Sequence, residues 1–127
     1  IAGGVIGLII RTTHTGEENY GDVTAVSASE ALNSSTAAGN TIVAAGGLYG
    51  VNSMASPING KSKGAVSATS ASGTPAAGGL VGWQAASSEV SGSYAGSVNG
   101  VTVTTANLTD LVVGKNAGTV GTVTLLP

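Results

Sequence analysis

The same glycine-centred frame occurs three times in this chain and constrains its fold more than any other feature. Each copy has Ala-Gly-Gly, two hydrophobic residues and Gly, followed 14 positions later by another Gly and then, after one residue, by Val. The heads of the copies are Ala2–Gly7, Ala45–Gly50 and Ala77–Gly82, and Leu111–Asn116 is a degraded fourth. The last three follow one another at one constant interval, from Gly50 to Gly82 to Gly114, whereas the interval from Gly7 to Gly50 is that period plus an insertion. A fixed period between about 20 and 50 residues indicates a repeat architecture.

The composition favours strands around a narrow core, because the apolar residues are mostly small or β-branched. Of 127 residues, 42% are hydrophobic, with no Phe and 21 Gly. Such side chains suit strands, and stacked repeats bury a continuous core between neighbours. We therefore predict an all-β fold, a β-solenoid of about four coils, as a single domain over 1–127 with an insertion at about 28–39. Because the chain begins at Ile1 rather than Met, we expect a fragment of a larger protein or a processed form.

Short β-rich segments alternate with Gly, Asn, Ser and Pro along the whole chain. The equal spacing predicts that Leu48 stacks on Leu80, and Val66 on Val98. The predicted strands are Val5–Ile10, Val23–Val26, Thr41–Ala44, Leu48–Val51, Ala65–Ala68, Leu80–Trp83, Ser97–Val98, Val101–Thr105, Leu111–Val113 and Thr119–Leu125.

Three segments have a special interpretation. Ser27–Leu32 is the one helix-like stretch and is predicted as a single helical turn or an excursion from the scaffold. Asn99-Gly100 could form a tight hairpin, but the constant period favours a corner between strands. The varied residues Val51, Trp83 and Lys115, which share one repeat position, are predicted to face outward.

Charge excludes two classes of partner. Only ten residues are charged, and the formal net charge is −2. The scattered cations Arg11, Lys61, Lys63 and Lys115 cannot form the basic surface that nucleic acid or an anionic membrane requires. The apolar segment Ile1–Ile10 is also far shorter than the ~20 residues of a membrane-spanning helix. A surface of Ser, Thr, Asn and Ala is typical of secreted and cell-surface proteins, so we expect an extracellular or cell-surface location.

The third copy resembles a GLUG repeat. Its head, Ala77–Gln84, and its tail, Val90–Val98, fit almost throughout a motif that runs roughly as Gly-Gly-Leu-Val-Gly and then Ser-Tyr-Ala-x-Gly-x-Val, although Gly96 follows Ala95 directly. The second copy has Ser62-Lys63 in place of Tyr-Ala, the first has Val5-Ile6 in its head, and the fourth lacks Gly-Gly. The resemblance implies a right-handed parallel β-helix within a bacterial surface or secreted protein, as in adhesins and the non-catalytic regions of immunoglobulin A-cleaving metallopeptidases. No catalytic residue is carried over, because the motif residues are scaffold.

Residues capable of catalysis or metal binding are few and scattered. His14 with Glu17 and Glu18 could form a weak cation site, but without Cys, a second His or His-Glu-x-x-His we expect an exposed polar loop. Serine is abundant without Gly-x-Ser-x-Gly. Glu89 and Asp110 could approach in space, as the acid pair of a glycosidase would.

Aromatic residues and glycine-rich heads have structural explanations. Tyr49, Trp83 and Tyr94 could stack on sugars, but single aromatic residues on separate repeats more often pack. The glycine-rich heads are not followed by the helix that a dinucleotide site requires. The insertion, Ala28–Gly39, is the best candidate for a specific contact, because loops carry function.

These observations predict a non-enzymatic structural or adhesive module, acting as a stalk or as a segment that binds a host protein or glycan. We predict no catalytic, cofactor-binding or metal-binding residues, no cofactor, no nucleic-acid partner and no membrane insertion. Two alternatives stay open. One is a filament subunit that self-associates through its coil ends, and the other is the non-catalytic β-helix region of an immunoglobulin A-type metallopeptidase.

Overall fold

The chain is all-β apart from one helical turn in the part that the structure describes. The computed structural model describes residues 1–31, 43–53, 58–73 and 75–127, with the backbone alone at 28–31 and 72–73. The elements are β1 (Ala2–Gly3), β2 (Ile6–Ile10), β3 (His14–Asn19), β4 (Val23–Ala31), β5 (Ala44–Gly46), β6 (Tyr49–Ser53), β7 (Ile58–Gly73), β8 (Ala76–Gly78), β9 (Val81–Gln84), β10 (Glu89–Val98), β11 (Val101–Thr102), α1 (Leu108–Leu111), β12 (Val113–Asn116) and β13 (Thr119–Leu125).

The strands form three sheets in which equivalent segments of successive repeats lie side by side. The sheet orders are β1-β5-β8, β12-β9-β6-β2 and β11-β10-β7-β3, with β13 also pairing with β10 and β4 with β7. Residues that pair between β7 and β10 are one period apart, as in Val66 with Val98, and β4 pairs with β7 across the longer first interval, as in Val23 with Val66. We therefore number four repeats: repeat 1 is residues 1–43, repeat 2 is 44–75, repeat 3 is 76–107 and repeat 4 is 108–127.

The core consists of equivalent side chains from successive repeats. Leu48 and Leu80 are fully buried in it, and the Leu48 amide donates to the Leu80 carbonyl at 2.9 Å. Val66 and Val98 are buried and paired. The predicted stacking of both pairs is confirmed.

A second row of equivalent side chains is polar, with its first two members buried and Asn116 exposed. The Asn52 amide nitrogen donates to Gln84 Oε1 at 3.2 Å, and Gln84 Nε2 donates to Asn116 Oδ1 at 3.0 Å and to the Thr119 carbonyl at 2.8 Å. Asn52 and Gln84 are fully buried. Each amide bonds to its counterpart in the next repeat, which offsets the cost of burying polar groups.

Glycines of the repeated frame allow close approach at two places. A Cβ on Gly79 would lie 2.4 Å from the Tyr94 ring, so the second glycine of the head makes room for the tyrosine of the tail. Gly96 has φ 139°, and a Cβ there would meet the Gly64 carbonyl oxygen of the preceding repeat at 2.0 Å. Each glycine is thus required by a neighbour within its own repeat or the preceding one.

The predicted outward position is only partly exposed. Val51 and Trp83 pair in β6 and β9 and are buried with Ala44 and Ala76 in a small cluster separate from the main core. Lys115, which pairs with Trp83, is exposed. The prediction of an outward-facing position is therefore wrong for Val51 and Trp83, whose side chains are buried, and holds for Lys115.

Two local predictions are wrong. The segment predicted as a helical turn, Ser27–Leu32, is a strand as far as Ala31, because β4 continues to that residue and pairs with β7. A single isolated helical turn is only marginally stable, and pairing with β7 provides hydrogen bonds for the same backbone groups. Asn99-Gly100 forms a hairpin rather than a corner, since β10 and β11 pair antiparallel. Asn99 has φ 46° and Gly100 φ 81°, as a type I′ turn requires.

The extra residues of repeat 1 begin later than predicted. Ala31 pairs with Gly73, and Ala44 pairs with Ala76. Twelve residues therefore lie between Ala31 and Ala44 in repeat 1, whereas two lie between Gly73 and Ala76 in the next strands. One further residue is absorbed by the register shift between Ser27 and Glu30. Residues 28–31 of the predicted insertion therefore belong to the sheet, and residues 32–39 lie outside the described part of the chain.

Candidate functional site

The segment around His14 is a strand, so its prediction as an exposed loop is wrong. Residues 14–19 lack hydrophobic alternation, but β3 pairs parallel with β7, and a register shift at Gly16, with φ 86°, keeps the two strands aligned. His14 Nδ1 lies 3.0 Å from Glu17 Oε1, and the His14 ring meets Tyr49 edge-on at a centroid distance of 6.0 Å. The strand thus brings a histidine, a carboxylate and a phenol close to one another.

Burial and the mutual contacts of this cluster shift its proton equilibria. Burial opposes ionisation of Glu17, but hydrogen bonding from its backbone and from the His14 side chain, together with the neighbouring Tyr49 hydroxyl, outweighs burial and lowers the Glu17 pKa. Burial, followed by the nearby Glu17 carboxylate, raises the Tyr49 pKa. Neither Glu17 Oε2 nor the Tyr49 hydroxyl completes a hydrogen bond within the described residues.

The weak cation site considered for His14, Glu17 and Glu18 is not assembled. Glu18 follows Glu17 on the strand and therefore faces the opposite side of the sheet, where it pairs with Lys61 at 3.4 Å. No group of three His, Cys, Asp or Glu side chains that could hold a metal occurs in the described residues. The cluster of His14, Glu17 and Tyr49 is consequently a part-buried contact between a histidine and a carboxylate beside a buried phenol.

The other sequence candidates also stay apart or are buried. Glu89 lies beside Gly121 on the sheet and Asp110 lies in α1, and no hydrogen bond or ion pair joins the two carboxylates. Tyr49 and Tyr94 are fully buried and Trp83 nearly so, which confirms the prediction that they pack. The Tyr94 hydroxyl donates to the carbonyls of Gly64 and Ser97, and burial, followed by the charge of Asp22, raises its pKa to about 12.

The solvent-facing side of the six-stranded sheet has a different arrangement, centred on Glu18. Tyr20 donates a hydrogen bond from its hydroxyl to Glu18 Oε2 at 3.0 Å, and Lys61 Nζ lies 3.4 Å from Oε1. The hydrogen bond to Glu18 raises the Tyr20 pKa. The Tyr20 side chain is 61% exposed, the most exposed aromatic residue of the described chain.

The polar row continues across the sheet from Glu18. Lys61 pairs with Glu18 on one side and Ser93 on the other, and Ser93 pairs with Thr124, with 2.7 Å between the two hydroxyl oxygens. Two shallow grooves of about 240 and 360 Å³ run along this row and share Asn59 and Ser93. We call the surface formed by Tyr20, Glu18, Lys61, Asn59, Ser91, Ser93, Thr122 and Thr124 the polar face.

Sequence analysis missed the polar face. Glu18, Lys61 and Ser93 belong to three different repeats, and only the pairing of β3, β7 and β10 brings them into one row. The repeat intervals contain this information, since Lys61 and Ser93 are one period apart. Tyr20 lies just after β3 at the repeat position of Lys63 and Ala95, where the residue type varies, so the repeated frame does not single it out.

Comparison with known protein families, with curated proteins and with solved structures finds no match for this chain. No helix in the described residues is long and apolar enough to cross a membrane.

Proposed function

We propose that this chain is a non-enzymatic structural and adhesive module of a bacterial surface or secreted protein, with GLUG-type repeats that form a right-handed parallel β-helix of about four coils. The parallel registers at one constant period in all three sheets support the coil arrangement. The right hand is supported by the general rule that about 98% of parallel crossover connections are right-handed.

The polar face is the observation that carries the adhesive part of this proposal. It offers hydroxyl and amide groups in register on a rigid sheet, and each can donate or accept a hydrogen bond. The grooves along it approach the roughly 300–1,000 Å³ range of small-ligand sites. A surface of this kind suits a ligand that carries many hydroxyl groups.

The ligand class that fits best is a glycan. Its hydroxyl groups match the Ser, Thr and Asn side chains, and the Glu18 carboxylate and Lys61 ammonium can accept and donate further hydrogen bonds. The exposed Tyr20 ring offers an apolar face against which a sugar ring can stack. The single paired cation of this row gives little attraction for a polyphosphate.

A glycan array of neutral and acidic oligosaccharides, followed by calorimetry on the best-bound member, tests the proposal. We expect Tyr20→Ala and Lys61→Ala each to weaken binding by about tenfold, equivalent to about 1.4 kcal/mol. Lys115→Ala is the matched control, because it removes the same side chain and charge from an exposed position of another sheet. Absence of any bound glycan, or equal effects of Lys61→Ala and Lys115→Ala, would contradict the assignment.

A further inference from the structure

Two bulges frame the polar face, one in each of its outer strands. β3 has an extra residue, Gly16, immediately after the residue that pairs with Asn59 of β7. β13 has an extra residue at Gly121-Thr122, opposite Ser91 of β10. The two central strands, β7 and β10, pair with each other without any shift, and Asn59 is the partner of Ser91. Both outer strands are therefore bulged at nearly the same level of the sheet, and bulges are over-represented beside functional sites.

Polar side chains lie in two rows across the four strands at this level. In order from β3 to β13, the first row is Thr15, Asn59, Ser91 and Thr122, and the second is Glu18, Lys61, Ser93 and Thr124. All eight residues are exposed or half-buried. Adjacent strands are about 4.8 Å apart, so each row offers one polar side chain per strand over a length of about 14 Å.

The hydroxyl groups of these rows keep capacity to bind a ligand. Ser93 and Thr124 share one hydrogen bond of 2.7 Å, which uses one donor and one acceptor of the pair and leaves one O–H and further lone pairs. Ser91 Oγ accepts a hydrogen bond from the Thr122 amide at 3.2 Å, which leaves the Ser91 O–H as a donor. The rows can therefore both donate to and accept from a series of evenly spaced hydroxyl groups.

The two rows contain one charge of each sign, and the two charges neutralise each other. Lys61 Nζ lies 3.4 Å from Glu18 Oε1, and their side chains are 53% and 45% exposed. Both ions can still form hydrogen bonds to a ligand, but the pair offers no net charge to attract an ionised one. An uncharged ligand matches this balance.

The two shallow grooves of the polar face together cross the strands. The groove of about 240 Å³ is lined by residues of β3, β7 and β10, and the groove of about 360 Å³ by residues of β7, β10 and β13. Asn59 and Ser93 line both grooves, which makes them one track from β3 to β13.

We propose that this track binds a linear, uncharged oligosaccharide that lies across the strands, with one sugar unit over each of β3, β7, β10 and β13. The inference rests on the proposed function and specifies the shape, charge and length of the glycan. The length of one sugar unit in a linear chain is close to the strand spacing of about 4.8 Å, so successive units meet successive strands. Tyr20 flanks the β3 end of the second row, where its exposed ring can pack against the first unit.

Calorimetry with linear β-1,4-linked oligomers of glucose and of N-acetylglucosamine, from one to six units, measures the length of the site. Each unit up to the fourth should raise the affinity by about two- to tenfold, as one net hydrogen bond does, and further units should add nothing. Raising the NaCl concentration from about 0.05 M to about 0.5 M should leave the affinity unchanged, because salt screens only the attraction between charges.

A variant at the far end of the track tests the assignment of one unit to each strand. Thr124→Ala removes the contact over β13, so the affinity should stop rising at three units instead of four. Thr102→Ala is the matched control, because Thr102 is exposed on β11 and lies outside both rows.

The array of neutral and acidic oligosaccharides separates failure of this inference from failure of the proposed function. If the array finds no bound glycan, both fail. If the array finds one but neither oligomer series binds, the affinity stops rising at a length other than four units, or added salt weakens binding, the proposed function stands and the linear track is wrong. Equal effects of Thr124→Ala and Thr102→Ala would also overturn the track.

Discussion

Replacing Gly79 with alanine places a methyl group against the ring of Tyr94. The ideal Cβ would lie 2.4 Å from Cδ1 and 2.6 Å from the next two ring atoms, where ordinary contact begins at 3.4 Å. The ring would therefore have to retreat by about 1 Å into a packed core, since Tyr94 is fully buried. We expect Gly79→Ala to lower the free energy of unfolding.

The magnitude has two parts. Overpacking a core commonly costs about 1–3 kcal/mol. Retreat of the ring also weakens the hydrogen bonds from the Tyr94 hydroxyl to the carbonyls of Gly64, at 2.7 Å, and Ser97, at 2.9 Å, each worth about 0.5–1.5 kcal/mol. A loss of about 2–4 kcal/mol is expected, a large fraction of the ~5–15 kcal/mol that stabilises a typical domain.

Urea unfolding followed by circular dichroism measures this loss as a lower midpoint. Gly7→Ala is the control, because Gly7 also belongs to the frame but a Cβ there would meet nothing within 4 Å. That change should be neutral or stabilise by about 0.4–1 kcal/mol. If Gly79→Ala unfolds at the same midpoint as the parent protein, the packing of head against tail is not the reason for the second glycine.

Three further predictions concern buried polar groups. Gln84→Leu leaves the Asn52 amide nitrogen and Asn116 without their partner, so thermal unfolding should show a loss of about 1–3 kcal/mol, and an unchanged midpoint would contradict the ladder. Because the pKa of Glu17 is lowered from 4.5 in the folded state, its contribution to stability is present above pH 4.5 and is lost as the pH falls through the folded-state pKa. The free energy of unfolding of Glu17→Gln should therefore depend less on pH below 4.5 than that of the parent protein. Because the Tyr94 pKa is raised from 10 to about 12, stability should fall as pH rises between those values, with phenolate absorbance from Tyr94 appearing only on unfolding.

The repeat intervals predict the pairing of strands better than the local sequence predicts their ends. Leu48 on Leu80 and Val66 on Val98 follow from spacing alone, because parallel strands at a constant period align equivalent residues. Asn99-Gly100 differs because its turn chemistry is local and overrides the period at that point. The local signal is thus correct at Asn99-Gly100, whereas the helix-like signal at Ser27–Ala31 is wrong because β4 pairs with β7 there.

The candidate site was less predictable than the fold. β3 has no hydrophobic alternation, so its strand form depends on β7, which belongs to the next repeat. From the sequence alone, Glu17 and Glu18 are predicted to be neighbours on one loop. In the strand, successive side chains face opposite sides of the sheet, so Glu17 contacts His14 on one side and Glu18 contacts Lys61 on the other. A polar segment carries no periodic signal that distinguishes these two arrangements.

The constant register has a consequence for how a chain of this kind can change in length. Since Val66 and Val98 pair at the same interval as Gly60 and Gly92, gain or loss of one whole period would leave the surviving strands paired in the same register. Gain or loss of a single residue would turn the following side chains to the other side of the sheet. Each such unit adds only about 4.8 Å, the distance between adjacent strands. In the proposed β-helix, genetic duplication would therefore extend the molecule in small, equal steps while the strand register stays constant.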